Sequence, residues 1–188
     1  KAGKRHGLYV AGGLVFTFSP VHTDAYYIRK AQELVKLGVD AIFLKDASGL
    51  LTPERVALTA RKVEDGGPKV LGTRPLQIHT HCNSGLAPYV VLQAVKYGVD
   101  VVHTATSTLA NGVSHAPTER VVANLRRRGH DVNIDLEAIK EVAERLAVIA
   151  KQEDKPVGTP NEYDEFHFQH QCPGGMVSNL AYQLETMG

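Results

Sequence analysis

Short continuous apolar runs alternate along this chain with longer stretches of helical period, the pattern of strands followed by helices. The first run, Leu8 to Phe18, is closed by Ser19-Pro20, and a helix is predicted from about Asp24 to Leu37 with Thr23 or Asp24 as its cap. Ala31, Leu34 and Val35 share one face of that helix, and Gly38 stops it. Val39 to Leu44 is apolar on both faces, as a strand buried in a parallel sheet is. Pro53 fits the first turn of a second helix, with Thr52 as cap. Pro75 to Ile78 predicts a third strand, Leu86 to Tyr97 a third helix, and Val99 to Val102 a fourth strand. Helices are then predicted over Pro117 to Arg128, Leu136 to Ile149 and Met176 to Met187, the last beyond a polar stretch from Asp154 to Cys172.

Strand–helix alternation with short links argues for an α/β architecture built on a parallel sheet of βαβ units. Lys36-Leu37-Gly38-Val39-Asp40 recurs as Lys96-Tyr97-Gly98-Val99-Asp100, each time at a helix-to-strand turn where glycine can turn left-handed. An internal repeat and the convergence of short αβ turns both account for it. Hydrophobic residues make up 43% and charged residues 22% of the chain, as in a globular core with a solvated surface. Twenty-one Lys and Arg against 20 Asp and Glu leave a net charge of +1, which gives no support to a nucleic-acid binder. No apolar run approaches the roughly 18–20 residues of a membrane span, and Lys1 to Gly7 does not lead into a secretory h-region. Cys82 and Cys172 stand in no CxxC pair, which argues against a disulfide scaffold or a Cys-based zinc site and fits a reducing, cytoplasmic setting.

The sharpest chemical signal is Gln77-Ile78-His79-Thr80-His81. His79 and His81 end a predicted strand two residues apart, so both imidazoles leave one face, close enough to share an ion. Neutral imidazoles suit zinc, manganese or cobalt. A packed core histidine beside a helix cap would also satisfy the spacing. Lys45, at the end of the strand Ile42-Phe43-Leu44, is the second signal. An unpaired buried ammonium is unfavourable, and a nearby cation would make it more so. Either Lys45 pairs with Asp46, or it is converted to a carbamate that a metal accepts as a ligand. His22 and His115 read as loop residues, the latter orienting Ser114. His167 and His170 could share a helical face as a second metal site, though a solvent or interface role competes. Glu162, Asp164 and Glu165 read as a solvated loop. Cys82, next to the HxH pair, is either a metal-adjacent thiolate or a small buried hydrophobe.

Lys45-Asp46-Ala47-Ser48-Gly49-Leu50-Leu51-Thr52-Pro53 resembles the KDMAGLL-x-P motif of biotin-dependent carboxyltransferases: pyruvate carboxylase, the oxaloacetate decarboxylase α-subunit and transcarboxylase. The resemblance continues through Phe18-Ser19-Pro20-Val21-His22-Thr23, His79-Thr80-His81 and Ser114-His115-Ala116-Pro117-Thr118-Glu119. It ends on Gln171-Cys172-Pro173-Gly174-Gly175-Met176-Val177-Ser178-Asn179-Leu180, and the motifs keep family order and spacing over nearly the whole chain.

The resemblance implies a TIM-type (β/α)8 barrel with a C-terminal helical extension. It implies a divalent metal held by a first-strand Asp, a carbamylated Lys and the HxH pair, so that Lys45, His79 and His81 would be three of the four ligands. The implied chemistry moves a carboxyl group between biotin and pyruvate, oxaloacetate or a related 2-oxo acid through an enolate. Biotin would ride on a carrier domain or subunit, and the assembly would be a homo-oligomer. Many members place a proton-relaying Thr before the Ser-His segment. Here that position is Val113, which carries no proton, and Ser114 beside it is the candidate substitute. Cys82-Asn83 follows the HxH pair in place of Asp-Thr or Ser-Thr, and His103 sits where many members carry Asp. No substrate-binding residue is assigned. Two other functions compete: a biotin-independent lyase or aldolase of the HMG-CoA lyase-like barrel group, and a non-catalytic assembly subunit. A complete barrel needs about 250 residues, whereas four strand–helix units are readable in these 188. By resemblance they are the last four of the barrel, over residues 1–130, with 131–188 beginning the helical extension. A fragment of a longer protein, or a half-barrel that dimerises, would have this length.

Overall fold

The computed structural model describes residues 1–56, 59 and 70–187. A short helix, α1 (Ala2–Arg5), precedes β1 (Ala11–Val15), α2 (Asp24–Lys36) and β2 (Ala41–Asp46). A helical turn at residues 53–56 follows, with Arg55 N donating to Thr52 Oγ1 at 3.2 Å; the rest of the helix predicted from Pro53 lies outside the described residues. Then come β3 (Leu76–Thr80), α3 (Ala87–Lys96), β4 (Val101–Val102), a 3-10 turn (Ser107–Leu109) and α4 (Thr118–Arg127). Helices α5 (Leu136–Gln152), α6 (Glu165–His170) and α7 (Gly174–Met187) complete the chain. Among the described residues no helix is long and apolar enough to cross a membrane.

The four strands are parallel in the order β1-β2-β3-β4. Each is hydrogen-bonded to the next in sequence, as consecutive staves of a TIM-type barrel are. Val15 pairs with Lys45, and Lys45 with His79, so one face carries Gly13, Val15, Phe43, Lys45, Gln77 and His79. The opposite face carries Leu14, Ile42, Leu44, Leu76 and Ile78, all buried in one core with Tyr27 and Ala31 of α2, Val90, Val91 and Ala94 of α3, and Val121 and Leu125 of α4. Each Leu, Ile or Val side chain among them, withdrawn from water, stabilises the sheet–helix layer by about 1.5–3 kcal/mol.

The repeated Lys-x-Gly-Val-Asp segments do the same structural job twice. Gly38 and Gly98 are left-handed at φ +81° and +91°. Asp40 Oδ2 accepts from Val10 N at 2.7 Å, and Asp100 Oδ2 accepts from Leu76 N at 2.9 Å. Each aspartate thus ties the start of its own strand to the start of the preceding one, which a chance similarity of turns does not require.

β1 and β4 are shorter than their apolar runs, whereas β2 and β3 run past theirs, to Asp46 and Thr80. Leu8 and Tyr9 lie outside β1 and are exposed. At the far end Phe16 N still donates to Lys45 O (2.7 Å), but Thr17 N turns to the Tyr27 hydroxyl at 3.0 Å. Beyond the polar stretch, residues 171–174 lie across the C-terminal strand ends. Gln171 Oε1 accepts from Thr17 Oγ1 (2.9 Å) and Phe18 N (3.2 Å), and its main-chain oxygen accepts from Ser48 Oγ at 2.9 Å. Asn83 Nδ2 donates to Cys172 O at 2.9 Å, and Gly174 N to Ala47 O at 3.1 Å. This strap joins the loops after β1, β2 and β3.

Candidate metal centre at the strand ends

Parallel register, rather than proximity in sequence, assembles the site. Lys45 and His79 are direct partners across β2 and β3. His103 continues the ladder past β4, its N–H donating to Ile78 O at 2.9 Å, which sets it beside His79. His81 follows His79 on the same face, and the loop after the 3-10 turn brings in His115. The His79 and His115 ring centroids are 4.3 Å apart, and those of His81 and His115 are 4.5 Å apart. One ligand nitrogen from each of His79, His81 and His115 lies within 4.8 Å of the others. A single ion with bonds of about 2.0–2.1 Å to nitrogen would need only a small inward movement of the rings.

Two of these rings have their ligand nitrogen set by main chain. His81 Nδ1 donates to Val113 O at 2.6 Å and His115 Nδ1 to Thr80 O at 2.9 Å. Each Nε2 is thereby left as a lone pair, the usual second-sphere arrangement of a metal-binding histidine. The electrostatics agree. Burial, followed by the charges of His115, His81, His103 and Lys45, pushes His79 down to about 4. His103 and His115 are also pushed below the ordinary histidine value, both chiefly by burial. Values below the ordinary one leave His79, His103 and His115 mainly neutral at pH 7, and His79 and His115 lie in the cluster that can face a cation. The residues present therefore fit a divalent metal.

The pairing of Lys45 with Asp46 does not occur. Consecutive strand residues point to opposite faces, so Asp46 enters the sheet–helix layer and is fully buried. Its carboxylate accepts from Leu50 N (2.9 Å), Leu51 N (2.9 Å) and Thr80 Oγ1 (2.8 Å). Burial outweighs those bonds and pushes the carboxyl upward. Lys45 is half-buried and forms no ion pair among the described residues.

Other histidines take up local partners. His22 Nδ1 bonds Ser19 Oγ at 2.7 Å, as a loop residue. His167 Nδ1 bonds Asp164 Oδ2 at 2.7 Å, whereas His170 Nδ1 bonds Phe166 O at 2.8 Å and its ring stacks on Phe166, so the two do not converge on a second metal site. Asp164 caps α6 through Phe166 N (2.8 Å) rather than lying free in a solvated loop. Cys82 is buried and its thiol is pushed up by burial, which makes it a small hydrophobe rather than a thiolate. Ser114 lies in the His115 loop, where its carbonyl accepts from Cys82 N at 2.7 Å. His115 does more than orient that loop, because its ring belongs to the imidazole cluster. Its signal in the sequence was a histidine within a family motif; what the sequence lacked was the loop path that places it beside the HxH pair.

Residues 16–146 match the family model described as HMGL-like. The chain belongs to the HMGL-like family. Its HMGL-like segment runs from the end of β1 into α5 and so contains Lys45, His79, His81 and His115. Over its full length the chain is 36% identical to a pyruvate carboxylase subunit of Methanocaldococcus jannaschii, covering 32% of that protein. It is 32% identical to the methylmalonyl-CoA carboxyltransferase 5S subunit of Propionibacterium freudenreichii subsp. shermanii, again over its full length and 36% of the relative. Among solved structures it resembles the carboxyl transferase domain of Rhizobium etli pyruvate carboxylase with 3-hydroxypyruvate, with a TM-score of 0.88 and 26% identity, over the whole chain and 32% of the domain's chain. The HMGL-like chain thus spans about a third of the length of these relatives, and its four parallel strands match part of the TIM-type barrel of that carboxyl transferase domain.

Proposed function

We propose that this chain is the metal-holding part of a biotin-dependent carboxyltransferase acting on pyruvate, oxaloacetate or a related 2-oxo acid. The observation that carries the reading is the convergence of Lys45, His79, His81 and His115 at the C-terminal strand ends, the face where such barrels do chemistry. The likeness to a carboxyl transferase domain solved with 3-hydroxypyruvate supports a 2-oxo acid as the acceptor class. In this reading His79 and His81 hold a divalent zinc, manganese or cobalt ion, and His115 closes the third side. Lys45 joins them as a carbamate: CO2 adds to its Nζ, a proton leaves, and an ammonium that would repel the cation becomes an oxygen ligand. A bound metal supplies fixed positive charge against which an enolate can develop. Ser114 offers the hydroxyl for passing a proton between biotin and the 2-oxo acid, since Val113 has none. Biotin arrives on a carrier domain or subunit. Residues 1–130 form the barrel part and 131–188 begin the extension that straps its open face, within a homo-oligomer.

The test is oxaloacetate decarboxylation by the full-length protein with and without added biotin. Stimulation by biotin is the expected result. A rate indifferent to biotin would support a lyase or aldolase of the HMG-CoA lyase-like group instead, and no turnover in the complete complex would leave a non-catalytic subunit.

A further inference from the structure

Gln77, His103 and His79 form a chain of side-chain contacts across the barrel-facing side of β3 and the end of β4. His103 Nε2 lies 3.2 Å from Gln77 Oε1, and His103 Nδ1 lies 3.2 Å from His79 Nδ1. Phe43 walls both rings, with centroids 6.4 Å from His79 and 6.2 Å from His103, and offers neither a polar partner. A neutral imidazole has one donor nitrogen and one acceptor nitrogen. An amide oxygen accepts only, so His103 carries its proton on Nε2 and gives it to Gln77. His103 Nδ1 is then a lone pair and can only accept. The proton in the contact between the two rings must therefore come from His79 Nδ1, which leaves His79 Nε2 bare.

The device answers a difference among the three clustered histidines. His81 and His115 have main-chain carbonyls on Nδ1, which fix their tautomers directly. His79 has another ring at that position, so its tautomer is decided only if the second ring is itself held. We propose that Gln77 and His103 are positioning residues that lock His79 in the Nδ1–H tautomer and hold its Nε2 as a lone pair toward His81 and His115. Its consequence for metal affinity rests on the metal reading above; the tautomer itself does not.

Neutron diffraction from crystals of the metal-free full-length protein locates the ring proton directly. It should lie on Nδ1 of His79 and on Nε2 of His103. Cobalt affinity, measured by competition with a chromophoric chelator, should fall about 10–100-fold in His103→Phe and in Gln77→Leu, the range for loss of a second-sphere partner. His103→Asn, whose amide oxygen can still accept from His79 Nδ1 but which is too short to be held by Gln77, should bind cobalt more tightly than His103→Phe and less tightly than wild type, whereas a purely space-filling role would make the small Asn no better than Phe. A proton on His79 Nε2, or unchanged cobalt affinity in both disabling variants, would overturn the proposal. Protein with the expected ring protons that takes up no cobalt would sustain the relay and count against the metal reading alone.

Discussion

Lys45 and Asp46 are neighbours in sequence with opposite fates, and the difference sets what each substitution should do. Lys45 faces the imidazole cluster, so Lys45→Ala should lose metal and carboxyl transfer together while the fold persists, as metal analysis and circular dichroism would show. Asp46 faces the helix layer and accepts three hydrogen bonds there. Asp46→Asn puts an amide NH2 against one of those donors, and a buried donor left unpaired lowers stability by about 1–3 kcal/mol, measurable by urea unfolding. His79 adds a pH dependence. Its folded value of about 4 lies below the ordinary 6.5. As the pH falls through that window the unfolded chain takes up a proton that the folded chain resists, so stability should fall from pH 6.5 toward 4 and be level in this contribution above it. His103 and His115, shifted in the same direction, add to the slope. Denaturant unfolding of the metal-free protein across the window checks the sign.

At the scale of elements, the segment after β2 is the joint between fold and site. Gly49 is left-handed at φ +67°, and a Cβ there would sit 2.7 Å from the His81 carbonyl oxygen. Gly49→Ala therefore combines the roughly 1–2 kcal/mol of left-handed strain with displacement of the strand end that bears His81. It should lower both the melting temperature and cobalt affinity; loss of stability with unchanged affinity would separate the turn from the site. Elements of this kind were largely legible beforehand. The apolar runs marked all four strands, and of the two cap candidates for α2 it is Thr23 that caps, accepting from Tyr26 N at 3.3 Å. Alternation placed His79 and His81 on one face. The same rule also separates Lys45 from Asp46. The unread part was lateral. His103 lies beside His79, 24 positions away, because parallel strands stand in a particular register, and the loop after the 3-10 turn carries His115 to Thr80, 35 positions away. No spacing within a single segment encodes that.

Across the whole molecule, the strap at residues 171–174 turns a sheet with an open C-terminal face into a site with a rim. Gln171 reaches Thr17 over 154 positions, a contact invisible in local pattern although the Gln-Cys-Pro-Gly-Gly motif itself stood out. Gln171→Ala removes the acceptor for Thr17 and Phe18. It should release the strap at a loss of about 1–3 kcal/mol, two ordinary hydrogen bonds, seen as faster proteolytic cutting between α6 and α7. The proposed function rests above all on one claim, that the strand ends of β2 and β3, with His115 beside them, hold a divalent metal. Metal content of the full-length protein, purified without chelator and compared with its His79→Ala variant, tests this most directly. The account predicts about one tightly held ion per site in the wild type and little or none in the variant. A wild-type protein without metal, or a variant that keeps the same content, would contradict it.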